Sequence, residues 1–314
     1  MKILITTFPF PSEDLLKLKN DFADIDIVFP ETKEQLLKEI VDADGVVSMA
    51  LKQEQIEAAK QLKWIQSLTA GVDAYPLEYL EHRNITLTTG RGIHKIHMTE
   101  YAISMMIMAA RRIDTIFLNQ QKRNWDSHIP QNEIHGKKLG IIGLGSIGQE
   151  IAEMAAILGM EVYGIKHTPT EIASVKKVFD MSGLDFIAKN CDYIIALLPH
   201  TQETEKIIDE KFFNLMDKDA VFINMGRGKT VNQEHLTQAL NDRQFRLCIS
   251  DVFETEPLPE NDPLWGMDNI IITPHICGPV VDYLAKAYTI VKGNMGKFVK
   301  GKALDNIYSF KKGY

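Results

Sequence analysis

Short apolar runs alternate with amphipathic helical patterns along the first hundred residues of the chain. The runs have the length and β-branched composition of strands, and the segments between them repeat apolar positions at helical spacing. The predicted strands are KILIT (2–6), IDIVF (25–29), GVVSM (45–49) and WIQSL (64–68), and the predicted helices are SEDLLKLKNDF, TKEQLLKEIVD and QEQIEAAKQL. This alternation predicts one small α/β unit.

A second and more apolar series of elements follows. MTEYAISMMIMAARR predicts a helix that is buried on most sides and has Thr99 as its N-cap. After it come a Gly-containing turn, the helix IGQEIAEMAAILG and nearly continuous apolar runs, which are typical of parallel strands covered on both faces. These runs are KLGII, MEVYGIKH, DYIIALLP, AVFINM, LCISDVF and NIIITPH. The C-terminal stretch predicts one helix and a loose, Lys-rich tail.

Composition and charge exclude several function classes. The 314 residues carry a formal net charge of −7, which disfavours nucleic acid or an anionic membrane as a partner. The start of the chain lacks the pattern of a secretory signal, and no apolar run approaches the roughly 18–20 residues of a membrane span. Three distant cysteines, Cys191, Cys248 and Cys277, indicate reduced thiols and no metal site. We therefore expect a cytoplasmic protein without a membrane partner.

The turn in the middle of the chain carries the pattern G-x-G-x-x-G, from Gly143 to Gly148. It lies between an apolar strand and a helix, which is the context that a dinucleotide-binding turn requires. Gly143 permits the tight turn, Gly145 lets the backbone approach a pyrophosphate, and Gly148 allows the helix to pack closely on the strand. The pyrophosphate would lie at the positive end of the helix.

The strand after this helix indicates which dinucleotide binds. NAD-binding folds place an acidic residue roughly 20 positions after the turn, where it binds the ribose 2′-hydroxyl. Here Lys166, His167 and Thr168 follow the strand, and no acid precedes Glu171. Cationic and hydroxyl groups suit a 2′-phosphate better, so the sequence favours NADP(H). NAD(H) stays open, because Lys166 is also explained as a solvated strand-end residue.

Three charged or titratable residues follow three successive predicted strands. Arg227 lies between two glycines after AVFINM, Glu256 follows LCISDVF, and His275 is the last residue of NIIITPH. Open α/β sheets place ligands at the carboxyl ends of their strands, so the three side chains are expected to converge on one crevice. Arginine forms a natural fork for a substrate carboxylate. Each residue alone also has a purely structural explanation.

Together these motifs resemble the D-isomer-specific 2-hydroxyacid dehydrogenase family, which includes lactate, phosphoglycerate, glyoxylate and hydroxypyruvate enzymes. The motifs that carry the resemblance are GLGSIG, LLPHTxxT, INMGRG, DVFETEP and TPHICG, in that order, with SLTAGVD and the 90–100 segment before them. The resemblance implies NAD(P)-dependent reduction of a 2-keto acid to a D-2-hydroxy acid. Arg227 would bind the carboxylate, and His275, paired with Glu256, would act as acid or base.

The resemblance also implies a fold, further contacts and an assembly. It predicts two Rossmann-like doubly wound parallel-sheet domains, with the cofactor domain (98–285) inserted into the substrate domain (1–97 and 286–314), and hinge closure between them. A homodimer is expected, because the apolar helix at residues 100–112 and the aromatic-bearing arm after it resemble the family's dimer elements, although the helix is also explained as an intramolecular core helix. The implied cofactor contacts are Ser146, Ile147, Lys166, His167, Thr168, Leu198, Pro199, Thr204, Met225, Gly226, Asp251 and Gly278, and the implied substrate contacts are Ala70, Gly71 and Leu51.

Several alternatives stay open. The substrate is glyoxylate, hydroxypyruvate or a phosphoglycerate-type acid if the chain follows those branches of the family. The loops Thr6–Pro9 and Ser48–Leu51 are mostly apolar, which favours a neutral or hydrophobic substrate tail. A different class of function is a non-catalytic dinucleotide-sensing corepressor or scaffold. The presence of Arg227, Glu256 and His275 together favours the enzyme, and Cys277 beside His275 admits sensitivity to oxidation.

Overall fold

The computed structural model describes residues 1–6 and 12–313, and the chain divides into two compact units. The first consists of Met1–Ile93 and Pro279–Tyr314, and the second is His94–Gly278. The second unit is therefore inserted into the first along the chain. The family resemblance predicts the inserted domain as residues 98–285.

The first unit is built on a five-stranded parallel sheet in the order β2-β1-β3-β4-β5. Its strands are β1 (Lys2–Ile5), β2 (Asp26–Val28), β3 (Gly45–Ser48), β4 (Trp64–Ser67) and β5 (Thr86–Thr88). Its helices are α1 (Ser12–Asp21), α2 (Lys33–Glu39), α3 (Gln53–Ala58), α4 (Leu77–His82) and α11 (Tyr283–Val299). The four predicted strands are all present, and the short polar strand β5 is an addition.

The second unit is built on a seven-stranded parallel sheet in the order β12-β11-β10-β9-β6-β7-β8. Its strands are β6 (Lys138–Ile142), β7 (Glu161–Ile165), β8 (Lys177–Phe179), β9 (Tyr193–Ala196), β10 (Val221–Asn224), β11 (Leu247–Ser250) and β12 (Ile270–Ile272). Its helices are α5 (Lys95–Ala110), α6 (Ile113–Gln121), α7 (Ser146–Ile157), α8 (Leu184–Asn190), α9 (Glu210–Leu215) and α10 (Gln233–Asn241). The strand order reverses beside β6, and such a switch point is where doubly wound sheets bind ligands.

Apolar clusters cover both faces of the larger sheet, as the continuous hydrophobic strands predict. One cluster joins α5 and α7 to one face, and the other joins α8, α9 and α10 to the opposite face. Within the described ranges, no helix has the length and apolarity that a bilayer crossing requires. The two-sheet α/β fold expected from the sequence is confirmed.

Two local predictions are wrong. Helix α5 begins at Lys95 rather than after Thr99, whose hydroxyl instead donates to the Lys95 carbonyl at 2.7 Å from inside the helix. The polar residues of the first turn concealed that start. The C-terminal tail is not loose, because Tyr308 is buried and its N–H donates to the Leu87 carbonyl of β5 at 2.8 Å. An aromatic side chain buries enough apolar area to hold the tail in place.

Candidate active site

The three glycines of the turn after β6 occupy different surroundings. Gly143 has φ of +115°, and a Cβ there would lie 3.0 Å from the Leu197 carbonyl carbon. A Cβ on Gly148 would lie 2.3 Å from the Gly143 oxygen, so only glycine lets α7 approach the turn. A Cβ on Gly145 would meet nothing within 4 Å. The turn therefore presents open space in front of the N-terminus of α7, which begins at Ser146 with Ile147 next, and this space fits a dinucleotide pyrophosphate.

Lys166 lies beside this turn. Strand register pairs Ile142 with Ile165, so the residues after β6 and β7 emerge side by side, and the Gly143 N–H donates to the Ile165 carbonyl at 3.1 Å. The Lys166 ammonium donates to Thr170 Oγ1 at 2.9 Å, and His167 Nδ1 lies 3.4 Å from Thr168 Oγ1. Cationic and hydroxyl groups thus follow β7, at the strand end where this fold binds an adenosine ribose.

The ends of β9 and β10 form the other side of the crevice. Thr204 holds the loop after β9 by donating to the Pro199 carbonyl at 2.7 Å. Next to it, a Cβ on Gly226 would lie 2.8 Å from the Leu198 oxygen, so the two loops are in backbone contact. Met225 is buried and its N–H donates to Ala196 at 3.0 Å. The implied cofactor contacts after both strands therefore lie together at the carboxyl edge.

Arg227 is brought to this edge by the glycines on either side. Its Nη1 donates to the Gly226 carbonyl at 2.8 Å, and its own carbonyl accepts from the Thr230 hydroxyl at 2.7 Å. A Cβ on Gly228 would lie 1.9 Å from the Phe253 carbonyl, so this loop presses directly on the loop after β11. Arg227 is half-buried, and the loop that carries it contacts the loop that leads from β11 to Glu256.

Glu256 and His275 form a close pair. His275 Nδ1 lies 2.6 Å from Glu256 Oε2, and Glu256 Oε1 accepts the Phe253 N–H at 2.9 Å. Both carboxylate oxygens therefore accept hydrogen bonds, and the imidazole ring is held in place. The contact with Glu256 assigns a proton to Nδ1 of His275. The side chains are 48% and 34% exposed, respectively. His275 thus keeps Nε2 for exchanging a proton with a bound molecule.

Asp251 lies beneath this pair and is fully buried. Its Oδ1 accepts from the Thr273 hydroxyl at 2.5 Å and from the Ile276 N–H at 3.0 Å, and its Oδ2 accepts from the Cys277 N–H at 3.0 Å. Burial raises the pKa of the Cys277 thiol, with a further rise from its hydrogen bond to Asp251. The carboxylate therefore organises the loop that carries His275.

His94 is a further titratable group beside the site that the sequence did not single out. A Cβ on Gly278 would lie 3.5 Å from its Cδ2, and its ring centroid lies 5.5 Å from that of His97. Burial lowers the pKa of His94 to about 4, with smaller contributions from His97 and Arg227. At neutral pH His94 is therefore uncharged and adds no second positive charge near Arg227.

The implied substrate residues belong to the first unit. Ala70 and Gly71 follow β4 at its carboxyl end, where Thr69 Oγ1 donates to the Gly71 carbonyl at 2.7 Å. Leu51 is 1% exposed, and its side chain packs in the apolar core of that unit. Of the apolar loop at Thr6–Pro9, residues 7–9 lie outside the described residues. Across residues 1–6 and 12–313, no cluster of His, Cys, Asp or Glu could hold a metal ion.

Comparisons with known sequences identify relatives along the whole chain. The family model described as D-isomer specific 2-hydroxyacid dehydrogenase, NAD binding domain, matches residues 103–277. The D-3-phosphoglycerate dehydrogenase of Methanocaldococcus jannaschii is 32% identical over 98% of this chain, but the chain spans only 59% of that relative's length. The glyoxylate reductase of Thermofilum pendens is 28% identical over 87% of this chain and 84% of its own length.

Solved structures show the same architecture. A D-isomer specific 2-hydroxyacid dehydrogenase family protein from Aeromonas salmonicida matches with a TM-score of 0.89 and 30% identity, covering 98% of this chain and 99% of its own. A probable 2-hydroxyacid dehydrogenase from Rhizobium etli, solved in complex with NADP, matches with a TM-score of 0.84 and 26% identity. That match covers 100% of this chain and 99% of the other.

Proposed function

The chain belongs to the D-isomer-specific 2-hydroxyacid dehydrogenase family, and on that premise we propose that it reduces a 2-keto acid to the D-2-hydroxy acid with a nicotinamide dinucleotide. The observation that carries the proposal is the 2.6 Å contact between His275 and Glu256 at the sheet edge that also bears the Gly143–Gly148 turn and Arg227. A non-catalytic dinucleotide sensor would have no need for a carboxylate held on an imidazole in this way.

Each residue of the pair and its neighbour has a distinct task in this reaction. Arg227 binds the substrate carboxylate and, through its positive charge, favours the charge that develops on the keto oxygen. His275 donates the proton from Nε2 to that oxygen, and in the reverse direction it takes the proton back. Glu256 orients the ring through Nδ1 and stabilises its protonated form.

The turn after β6 and the loops after β7, β9 and β10 would hold the cofactor. Bound there, the dihydronicotinamide ring supplies the hydride that completes the reduction. Gly145 and the N–H groups of α7 would meet the pyrophosphate, and Lys166 and Thr168 would meet the adenosine ribose. We propose NADP(H) as the preferred form because a 2′-phosphate matches the ammonium of Lys166, and the NADP complex of the Rhizobium etli relative supports this.

The substrate branch is a finer part of the proposal. Two candidate substrates come from the relatives: glyoxylate from the Thermofilum pendens reductase, and D-3-phosphoglycerate from the Methanocaldococcus jannaschii dehydrogenase. We favour a keto acid with a neutral or hydrophobic tail, on the apolar composition of the 48–51 loop, in which Met49 and Ala50 are exposed and Leu51 is buried. Ala70, Gly71 and Leu51 as substrate contacts, and a cytoplasmic location, stay predictions.

One experiment tests the activity directly. Purified protein is mixed with NADPH or NADH and with pyruvate, glyoxylate, hydroxypyruvate, 3-phosphohydroxypyruvate, 2-ketoisocaproate or phenylpyruvate, and the oxidation of the cofactor is followed. We expect faster turnover with NADPH and a D-configured product by chiral chromatography. Tight NADPH binding without turnover of any 2-keto acid would overturn the enzyme in favour of a dinucleotide sensor. Preference for NADH would overturn the assignment of Lys166.

We also propose a homodimer formed through α6 and the arm that follows it. Ile116, Phe117 and Leu118 on α6 are exposed, and Trp125 beyond it is 95% exposed, which is unusual for large apolar side chains. Light scattering should give a dimer mass for the parent and a monomer mass for Phe117→Glu. The matched control is Leu16→Glu, at an exposed leucine on α1, which should stay dimeric. A monomeric parent would contradict the proposal.

A further inference from the structure

A chain of hydrogen bonds extends from the middle of α5 to the loop that carries His275. The Tyr101 hydroxyl lies 2.7 Å from Thr273 Oγ1, and Thr273 Oγ1 lies 2.5 Å from Asp251 Oδ1. Asp251 in turn accepts the Ile276 and Cys277 N–H groups at 3.0 Å each. Its own carbonyl accepts the His275 N–H at 2.9 Å. Every residue from 275 to 277 is thus tied to Asp251.

The direction of this chain follows from counting hydrogens. A threonine hydroxyl has one hydrogen and two lone pairs. Asp251 already accepts hydrogen bonds from two backbone N–H groups, so its carboxylate acts as an acceptor. The Thr273 hydroxyl therefore donates its one hydrogen to Asp251. Tyr101 must then donate to Thr273. Burial raises the pKa of Tyr101, which keeps the phenol protonated and able to donate.

The loop needs this support because its backbone is unfavourable. His275 has φ of +54°, in the left-handed region that residues other than glycine rarely adopt. Such a conformation persists only where the surrounding contacts over-determine it. On the C-terminal side of His275, the N–H groups of residues 276 and 277 both donate to the Asp251 carboxylate. That carboxylate is held in turn by the hydrogen bond from the Thr273 hydroxyl. A loosened carboxylate would let the imidazole turn away from Glu256.

We propose that Tyr101 and Thr273 are positioning residues for the acid–base step, acting through Asp251 to hold His275 in its reactive orientation. The proposal rests on the proposed function, since it assumes that His275 transfers the proton. Neither residue need touch substrate or cofactor. The contact between Tyr101 and Thr273 joins positions 172 residues apart, so no local pattern in the sequence reveals it.

The proposal predicts a particular pattern of kinetics. Removing one hydroxyl by Tyr101→Phe or Thr273→Val should lower kcat by about 5- to 20-fold and change KM for the keto acid less than about twofold, because the substrate is still bound but the acid is misplaced. Thr273→Ser keeps the hydroxyl and should retain parental kcat. Tyr101→Phe combined with Thr273→Val should cost no more than Thr273→Val alone, because both act along one chain.

A matched control separates positioning from general loss of stability. Tyr193 is buried in the apolar cluster against which Tyr101 packs, but it begins β9, at the amino-terminal end of that strand. Tyr193→Phe removes a tyrosine hydroxyl that is outside this chain of hydrogen bonds, and it should retain parental kcat. Equal losses of kcat in Tyr193→Phe and Tyr101→Phe, or additive losses in the double variant, would overturn the proposal.

A second readout does not depend on turnover. Amide hydrogen exchange at residues 275–277, followed by mass spectrometry, should speed up in Tyr101→Phe and Thr273→Val, and stay parental in Thr273→Ser and Tyr193→Phe. If the two variants exchange faster but the parent protein turns over no keto acid, the hydrogen-bond chain supports the loop as proposed. Only the proposed function is then overturned. Unchanged exchange together with parental kcat in Tyr101→Phe would overturn the positioning role itself.

Discussion

The depressed pKa of His94 makes the stability of the protein depend on pH in a defined window. Burial, with smaller contributions from His97 and Arg227, lowers this pKa from 6.5 to about 4. The unfolded chain therefore takes up a proton at higher pH than the folded protein does. The stability held by neutral His94 is complete above pH 6.5 and is lost as the pH falls toward 4.

The size of the effect follows from the shift. One pKa unit corresponds to about 1.4 kcal/mol, so the full loss below pH 4 is about 3 kcal/mol, of which about 2 kcal/mol is lost by pH 5. In a unit the size of residues 94–278, each kcal/mol moves the melting temperature by about 2–4 °C. His94→Asn removes this titration and should flatten the pH dependence by about 4–8 °C between pH 7.5 and 5.

Scanning calorimetry of both proteins at pH 7.5 and pH 5 measures this difference directly. Every other titrating group is shared, so the gap between the two slopes isolates His94 and its coupling to His97. The parent should lose more stability than His94→Asn on acidification. Parallel losses in the two proteins would refute the reasoning, because they would mean that His94 is protonated equally in the folded and unfolded chains.

Three further outcomes follow from the site. His275→Asn should lower kcat by about 10² to 10⁴ and leave the NADPH dissociation constant unchanged by fluorescence titration, and near-parental turnover would remove His275 from the acid–base role. Lys166→Glu should weaken NADPH binding by about 10- to 100-fold, because a charge-assisted contact is lost, and it should strengthen NADH binding. Equal effects on the binding of both cofactors would contradict the 2′-phosphate assignment. Burial raises the pKa of Cys191, Cys248 and Cys277, so a thiol reagent at pH 8 should label none of them before denaturation and all three after it; rapid labelling of Cys277 in the folded protein would instead support sensitivity to oxidation.

The sequence predicts the fold well where hydrophobic pattern and glycine chemistry agree. The buried strands β9, β10 and β11 are continuous apolar runs. The glycine pattern from Gly143 to Gly148 predicts both the tight turn and the helix after it. The short strands β5 and β8 escape prediction, because Thr86–Thr88 and Lys177–Phe179 are three residues each and carry polar positions. At such lengths, pairing with a neighbouring strand decides the structure.

The candidate site shows the same division. Arg227, Glu256 and His275 each follow a recognisable strand, so their convergence on one edge can be expected from topology alone. The roles of Tyr101, Thr273 and His94 depend on contacts between distant segments and on burial, which one sequence does not display. Asp251 lies between these cases, since its place after β11 is predictable but its three donors are visible only in the structure.

The insertion of one unit into the other has a consequence during synthesis. Residues 94–278 are contiguous, so the nucleotide-binding unit can fold as soon as it leaves the ribosome. The first unit must wait for α11, whose Ala287, Val291 and Met295 complete its apolar cluster, and for Tyr308, which covers Leu87. At about 5–20 residues per second, its early strands stand exposed for many seconds while the later unit is already formed. The part of the chain that is made first is therefore the last to become native, and it is the part that most needs protection by chaperones.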